Sequence, residues 1–319
     1  MAVPTVDLAA YVDEGAAKEE REAVVHAFDR AMRSLGMVRL VNHGVPHEAV
    51  RALHGAAHQF FQAPLAHKMT SCLHKGYGSG GYVPVGVEAV ARSRAAQPGA
   101  SDAPPDLVEN IVFSHGADPA LEPVVPSEPS ELQPAAATYW AHMRKLLNLL
   151  MRLSADALSL PTAFFDHCYA EPRCHLRLAH YPACSEERPA GTFRYGAHTD
   201  YTGFTILRQD MQANGLQVQT REGEWIAAPP MADGALLVNA GDLIAVWTND
   251  RWRSPPHRVL PPPKGASASP LTSLVFFTGP SDETVVEALP GTVDGANPQR
   301  YPPISARAHL HAKLSATST

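Results

Sequence analysis

Apolar residues recur every three or four positions in three stretches of the first half of the chain. Glu19–Leu35 carries Val24, Val25, Phe28, Ala31, Met32 and Leu35. His47–Phe61 carries Val50, Leu53, Ala57 and Phe60. Thr138–Leu158 carries Tyr139, Trp140, Met143, Leu146, Leu147, Leu150, Leu153 and Leu158. On a helical period each set forms one stripe, so the pattern predicts three amphipathic helices. Gly36 supplies a C-terminal stop for the first. The third stripe is the widest, which suits a scaffold helix lying on the outside of a sheet. No heptad persists in it, so its leucines read as core and not as a zipper.

Later in the chain the period falls to two. The runs are His175–Tyr181, Ala197–Arg208, Gly215–Gln219, Trp225–Ala228, Ala235–Asn239, Leu243–Trp247, Arg258–Leu260, Thr272–Phe277 and Val285–Ala288. Short strands separated by Gly, Pro and Asn turns predict a barrel or jelly roll. Pro4–Leu8 and Met37–Val41 read as two early strands, and Ser305–Leu314 as a closing helix. The class is therefore mainly β with flanking helices (α+β), with helices first and a jelly roll after them. No linker interrupts the pattern, so residues 1–319 are expected to form one domain. Within it, 1–170 is a helical N-terminal part, 171–290 the jelly-roll core and 291–319 the closing segment.

Composition changes this picture in one place. Ala, Pro, Ser and Glu dominate Ala89–Ala137, interrupted by the apolar run Asp106–Phe113. That segment reads as a surface excursion holding one strand or ordered turn. The glycine-rich stretch Gly76–Gly86 lacks a phosphate-loop pattern, which leaves Tyr77 and Tyr82 as residues for a pocket mouth. The net charge is −6 with a pI of about 6.2, so there is no basic footprint for nucleic acid. No apolar run is long enough to span a membrane, and the first residues do not resemble a signal peptide. A cytoplasmic protein is expected. The four cysteines lack C-x-x-C spacing, so neither a disulfide framework nor a zinc site is implied.

The chemistry concentrates in Gly191–Asp210. His198 and Asp200 stand two residues apart in an expected strand, where side chains i and i+2 share a face. His257 follows 57 positions after Asp200. Two imidazoles and one carboxylate, with other coordination positions open, suit Fe(II) in an oxygenase. Alone, H-x-D with a distant His is a weak signal. A surface pair and a core histidine would read the same way.

The surrounding motifs narrow the choice. Ala197-His198-Thr199-Asp200-Tyr201, Gly241-Asp242-Leu243, Trp247-Thr248-Asn249 and Ser254-Pro255-Pro256-His257-Arg258-Val259 resemble the isopenicillin N synthase-like family of Fe(II)/2-oxoglutarate-dependent dioxygenases. Asn42-His43-Gly44-Val45-Pro46, Leu176-Arg177-Leu178 leading to Tyr181-Pro182, and Tyr301-Pro302-Pro303-Ile304-Ser305 extend the resemblance over nearly the whole chain. It implies a double-stranded β-helix (jelly-roll, cupin-like) core. It implies His198, Asp200 and His257 as ligands of Fe(II), with 2-oxoglutarate and O2 as co-substrates. The activity implied is hydroxylation, desaturation or ring closure of a small molecule through a ferryl species.

One position departs from the family. The strand after the second His normally carries Arg-x-Ser, whose Arg pairs with a carboxylate, most often the distal one of 2-oxoglutarate. Here Ser273 matches and the Arg position is Leu271. A bidentate Arg–carboxylate pair is among the strongest polar contacts, and leucine supplies none of it. Either another residue anchors 2-oxoglutarate, or it binds weakly, or the enzyme is an Fe(II) oxidase or oxygenase that does without it. A non-catalytic ligand-binding relative is the third reading. Unbroken strand parity from His198 would turn Arg208 inward as a replacement anchor, unless Gly203 breaks the register. Tyr181 and Ser273 are expected on the co-substrate. Tyr195, Tyr82 and Arg194 are expected on the substrate, with Arg253 and the helix around His309 near the site. Arg258, beside His257, should point away from it and be structural.

Overall fold

The computed structural model describes residues 1–71, 80–94, 103–115, 126–183, 191–209, 215–229, 231, 234–262 and 269–317. The first half runs β1 (Thr5–Asp7), α1 (Ala9–Val12), α2 (Lys18–Ser34), β2 (Met37–Val41), α3 (His47–Gln62), α4 (Leu65–Met69), β3 (Gly81–Val83), β4 (Glu109–His115) and α5 (Leu132–Ala157). The second half runs β5 (Arg173–Tyr181), β6 (Tyr195–His198), β7 (Phe204–Gln209), β8 (Leu216–Gln219), β9 (Trp225–Ala227), β10 (Leu236–Ala240), α6 (Asp242–Trp247), β11 (His257–Val259), β12 (Leu271–Gly279), β13 (Val285–Val286), β14 (Ile304–Ser305) and α7 (Ala306–Thr317).

Two sheets face each other. The larger has the order β1-β2-β10-β7-β12-β5-β4-β3, and the smaller β6-β11-β8-β9. Alternation along the strands sorts their side chains into two cores. Leu176, Leu178, Ile206, Leu236, Val238, Leu274 and Phe276 point out of the jelly roll and pack under the helices. Ala179, Tyr181, Leu237 and Leu271 point inward and meet Leu216, Val218 and Val259 of the smaller sheet. The expected mainly-β architecture with flanking helices is what forms.

The scaffold helix α5 lies over the outer face. Leu147, Leu150 and Leu153 on it are fully buried. Each such leucine contributes about 1.5–3 kcal/mol relative to exposure. α5 starts six residues earlier than its apolar stripe suggests. Pro134 falls in its first turn, where a missing N–H costs no hydrogen bond, and Leu132 and Ala136 are buried there.

Two predicted strands come out differently. Leu243–Trp247 is helical, forming α6, and all five of its residues are buried. A short run that is apolar on every side carries no period, so strand and helix cannot be told apart from it. The run Ala197–Arg208 is two strands in two sheets, with β6 ending at His198 and β7 starting at Phe204. The chain crosses between sheets at 199–203. Gly203 makes the crossing possible: its N–H donates to the Thr278 carbonyl at 2.6 Å, and a Cβ there would lie 2.7 Å from that oxygen.

Part of the glycine-rich stretch, including Tyr77, and parts of the excursion 89–137 lie outside the described residues. Within that excursion β4 fulfils the one expected strand, somewhat displaced from Asp106–Phe113. Among the described residues no helix is long and apolar enough to cross a membrane.

Candidate metal centre

The end of β6 and the start of β11 are antiparallel neighbours, and His198 pairs directly with His257. Their rings lie 4.2 Å apart, centroid to centroid. Asp200 sits two residues past His198, at the start of the crossing turn and not within a strand. That turn folds its carboxylate back onto the two imidazoles. Asp200 Oδ1 lies 3.6 Å from His198 Nε2 and 3.7 Å from His257 Nε2. The three ligand atoms fall within 4.8 Å of one another, and no other such cluster of His, Cys, Asp or Glu occurs among the described residues.

Every other polar atom of the trio is already engaged. His198 Nδ1 lies 2.9 Å from the Gly196 carbonyl, and His257 Nδ1 lies 3.1 Å from that of Pro255. A carbonyl only accepts, so each Nδ1 carries the proton and donates. Each Nε2 is left with a lone pair pointing at Asp200 Oδ1. On the carboxylate, Oδ2 accepts from Thr205 Oγ1 at 2.5 Å and from Asn239 Nδ2 at 2.7 Å. The free atoms are thus the three that converge, which is the arrangement a divalent cation needs.

Charge agrees with that geometry. Burial opposes ionisation of Asp200, but the facing His257 and His198 and the Asn239 amide outweigh it. The carboxyl is held well below the usual range. Burial, with His198 beside it, pushes His257 down to about 4, so this imidazole is neutral at physiological pH. One carboxylate and two imidazoles whose Nε2 atoms converge on it form a donor set suited to Fe(II), whose remaining positions stay open.

Two cavities meet at the cluster. The inner one lies between the sheets and is lined by Ala179, Tyr181, Leu207, Gln209, Ser273 and Val275. The outer one is lined by Val112, Arg173, His175, Tyr201, Leu310 and Leu314. Both touch Arg177, Tyr195, His198, Asp200 and Phe277. Arg177 forms a two-pronged pair with Glu88, at 3.1 and 3.2 Å, and donates to the Tyr195 hydroxyl at 2.7 Å. Tyr195 in turn stands edge-on to His198, with centroids 4.8 Å apart.

The structure sorts the residues expected from sequence. Tyr181 and Ser273 face the inner cavity, and Tyr195 faces both. Arg208 does not. Its cross-strand partner is Leu274 on the helix side, and its Nη1 donates to the Met231 and Ala235 carbonyls. The crossing turn resets strand parity, so the inward residues of β7 are Thr205, Leu207 and Gln209. Tyr82 also belongs to the helix side. It is packed edge-on to Phe60, and its hydroxyl donates to Glu109. It lines neither of the two cavities at the cluster. Arg194 does not line the outer cavity but lies over the Tyr181 ring. Arg253 and His309 line a separate depression beside Asp242 and Lys313. Arg258 stacks 4.0 Å above the Trp225 ring and is structural, as expected.

Sequence reading missed Thr205, Asn239, Gln209 and Arg177. Asn239 left a trace: it is the lone amide in the buried run Leu236–Ala240, where an unpaired polar group would be costly.

Comparisons with known proteins agree. A model described as the 2OG-Fe(II) oxygenase superfamily matches residues 172–280. A second, described as the N-terminal part of non-haem dioxygenases in morphine synthesis, matches residues 3–131. The chain is 32% identical to validamycin A dioxygenase of Streptomyces hygroscopicus subsp. limoneus, over 92% of this chain and 81% of that one. It is 33% identical to gibberellin 20 oxidase 1-D of Triticum aestivum, over 97% and 81%. A full-length Neurospora crassa protein, solved in complex with alpha-KG and thymine, superposes with a TM-score of 0.87 at 28% identity, covering 99% of this chain and 97% of that one. These relatives favour neither an oxidase without 2-oxoglutarate nor a non-catalytic binder, despite Leu271. The chain belongs to the 2-oxoglutarate–Fe(II) oxygenase superfamily, with a double-stranded β-helix fold, and is an oxidoreductase that uses Fe(II), 2-oxoglutarate and O2 on a small molecule.

Proposed function

We propose that His198, Asp200 and His257 hold the Fe(II), that the inner cavity takes 2-oxoglutarate and that the outer cavity takes the organic substrate. The observation that carries this reading is the convergence of two Nε2 atoms and Asp200 Oδ1, with every other polar atom of the trio tied off. When bound, the metal with its co-substrate supplies the activation of O2 for oxidation of a substrate C–H bond.

The chain's own residues do the rest. Thr205 and Asn239 hold Oδ2, so the carboxylate cannot rotate its free oxygen away. Gly196 and Pro255 fix both imidazole tautomers through their carbonyls. Leu207, Val275 and Phe277 give the inner cavity apolar walls. The outer cavity offers apolar walls from Val112, Phe277, Leu310 and Leu314, with polar groups from Arg173, Thr199 and Tyr201. It suits a small molecule with an apolar body and a hydrogen-bonding edge. The whole chain serves this site as one domain, since β1 and β2 sit in the same sheet as β7 and β12.

The test is turnover without an added organic substrate, which 2-oxoglutarate-dependent oxygenases perform slowly. Purified protein with Fe(II), 2-oxoglutarate and O2 should convert 2-oxoglutarate to succinate, and His257→Ala should not. Equal succinate formation by both proteins would sink the proposed ligand set.

A further inference from the structure

Against Tyr181, which lines the inner cavity, lies a buried arginine with no acidic partner among the described residues. Arg194 is 2% exposed. It precedes β6, and its N–H donates to the Val259 carbonyl at 3.0 Å. Its side chain makes one hydrogen bond, a long one of 3.3 Å from Nη2 to the Ser269 carbonyl. Nε is buried without a partner. Among the described residues no carboxylate lies within ion-pair distance of it. Arg177, the arginine that lines this cavity, is already neutralised by Glu88. A buried guanidinium left with a vacant donor and no counter-charge is costly unless an anion joins it.

Its position says which anion. The guanidinium lies 5.8 Å from the centroid of the Tyr181 ring. Tyr181 lines the cavity and is the cross-strand partner of Leu271. Ser269, which Arg194 touches, comes two residues before Leu271. Through Tyr181 and Ser269, the guanidinium therefore stands near position 271, where the charge is missing, on the segment that precedes β6. Arg194 is four residues before His198, roughly 13 Å along an extended chain. A flexible side chain and a five-carbon diacid with its other end at the metal together bridge that gap. Tyr181, Ser273 and Gln209 face the same space, and among the described residues their side chains make no hydrogen bond to protein.

We infer that Arg194 is the residue that receives the distal carboxylate of 2-oxoglutarate, in place of the arginine that Leu271 has displaced. This rests on the metal and co-substrate placement proposed above. It makes Arg194 a co-substrate residue, where sequence alone suggested substrate contact.

The experiment is an anaerobic titration of the Fe(II)-loaded protein, read by the visible charge-transfer band of a bound 2-oxo acid. The two probes are 2-oxoglutarate and 2-oxovalerate, which has the same chain length and no distal carboxylate. Wild type should prefer 2-oxoglutarate strongly. Arg194→Met should bind 2-oxoglutarate roughly thirtyfold more weakly or worse, as expected for loss of a charge-assisted pair. Its affinity for 2-oxovalerate should be unchanged, which also reports an intact fold. Adding Leu271→Arg to Arg194→Met should restore the preference. Should the methionine variant not fold, Arg194→Lys carries the test, with about a tenfold loss for 2-oxoglutarate alone. Unaltered 2-oxoglutarate affinity in either variant, or equal loss of both probes, overturns the assignment. A wild type with no band for either probe overturns the placement of metal and co-substrate instead.

Discussion

Replacing Asn239 with leucine should weaken Fe(II) binding without unfolding the protein. Asn239 Nδ2 donates 2.7 Å to Asp200 Oδ2, and Thr205 supplies the only other hydrogen bond there among the described residues. A hydrogen bond to a charged group contributes about 1.5–3 kcal/mol. At about 1.4 kcal/mol per tenfold, its loss predicts Fe(II) affinity lower by about 10- to 150-fold. The substituted leucine is of similar size, and its neighbours Leu237 and Val238 are already in apolar surroundings. Anaerobic calorimetry on wild type and Asn239→Leu gives the two dissociation constants, and circular dichroism reports the fold. Thr205→Val should act in the same direction. An Fe(II) affinity within twofold of wild type would show that the amide does not set the carboxylate, and would refute the reasoning.

Other perturbations reach the scaffold around the site. Burial, with Arg173 and Arg177 adding, pushes His175 down to about 4, while an unfolded histidine titrates near 6.5. Its contribution is therefore present in full above pH 6.5 and is lost as pH falls through 4, up to about 3 kcal/mol. His175→Gln should flatten the fall of the urea midpoint across that window, and an unchanged slope would contradict it. Gly203→Ala puts a Cβ 2.7 Å from the Thr278 carbonyl oxygen, and denaturation should show a loss of about 1–3 kcal/mol. Lys313 on α7 pairs with Asp242 at 2.7 Å, on the helix that brings Leu310 and Leu314 to the outer cavity. The pair is part-exposed, so Lys313→Met should speed amide exchange in α7 by no more than about fivefold. Exchange equal to wild type would show that the pair does not hold the helix.

Much of this was legible in the chain. Period 3.6 placed α2, α3 and α5, because each has a solvent side that keeps the stripe visible. Period 2 placed most strands of the core, because alternate residues face different layers. The grouping of His198, Asp200 and His257 was legible from the motifs around them; pairing of β6 with β11 joins the two histidines, while Asp200 reaches them through the crossing turn and not through the strand parity its spacing suggested. What failed had a common physical origin. Leu243–Trp247 is buried on all sides, so its period is erased. Arg208 was placed by counting alternation across Gly203, where the chain leaves one sheet for another. Tyr82 was read from a glycine-rich context, although its neighbours on β4 place it under the helices. Support from Thr205 and Asn239 comes from a different sheet than His198, and local spacing carries no trace of such a meeting. Leu271 showed that an anchor was missing. Only the fold shows a buried Arg194, without an acidic partner among the described residues, beside Tyr181, the cross-strand partner of Leu271.

The most direct measurement is equilibrium Fe(II) binding, under argon, to wild type and to His198→Ala, Asp200→Ala and His257→Ala. Wild type should take up one Fe(II) per chain. Each variant should keep its circular dichroism spectrum and lose affinity by more than about a thousandfold, beyond what loss of a supporting hydrogen bond produces. One tightly bound Fe(II) per chain in any of the three variants would contradict the assignment of the metal to this trio.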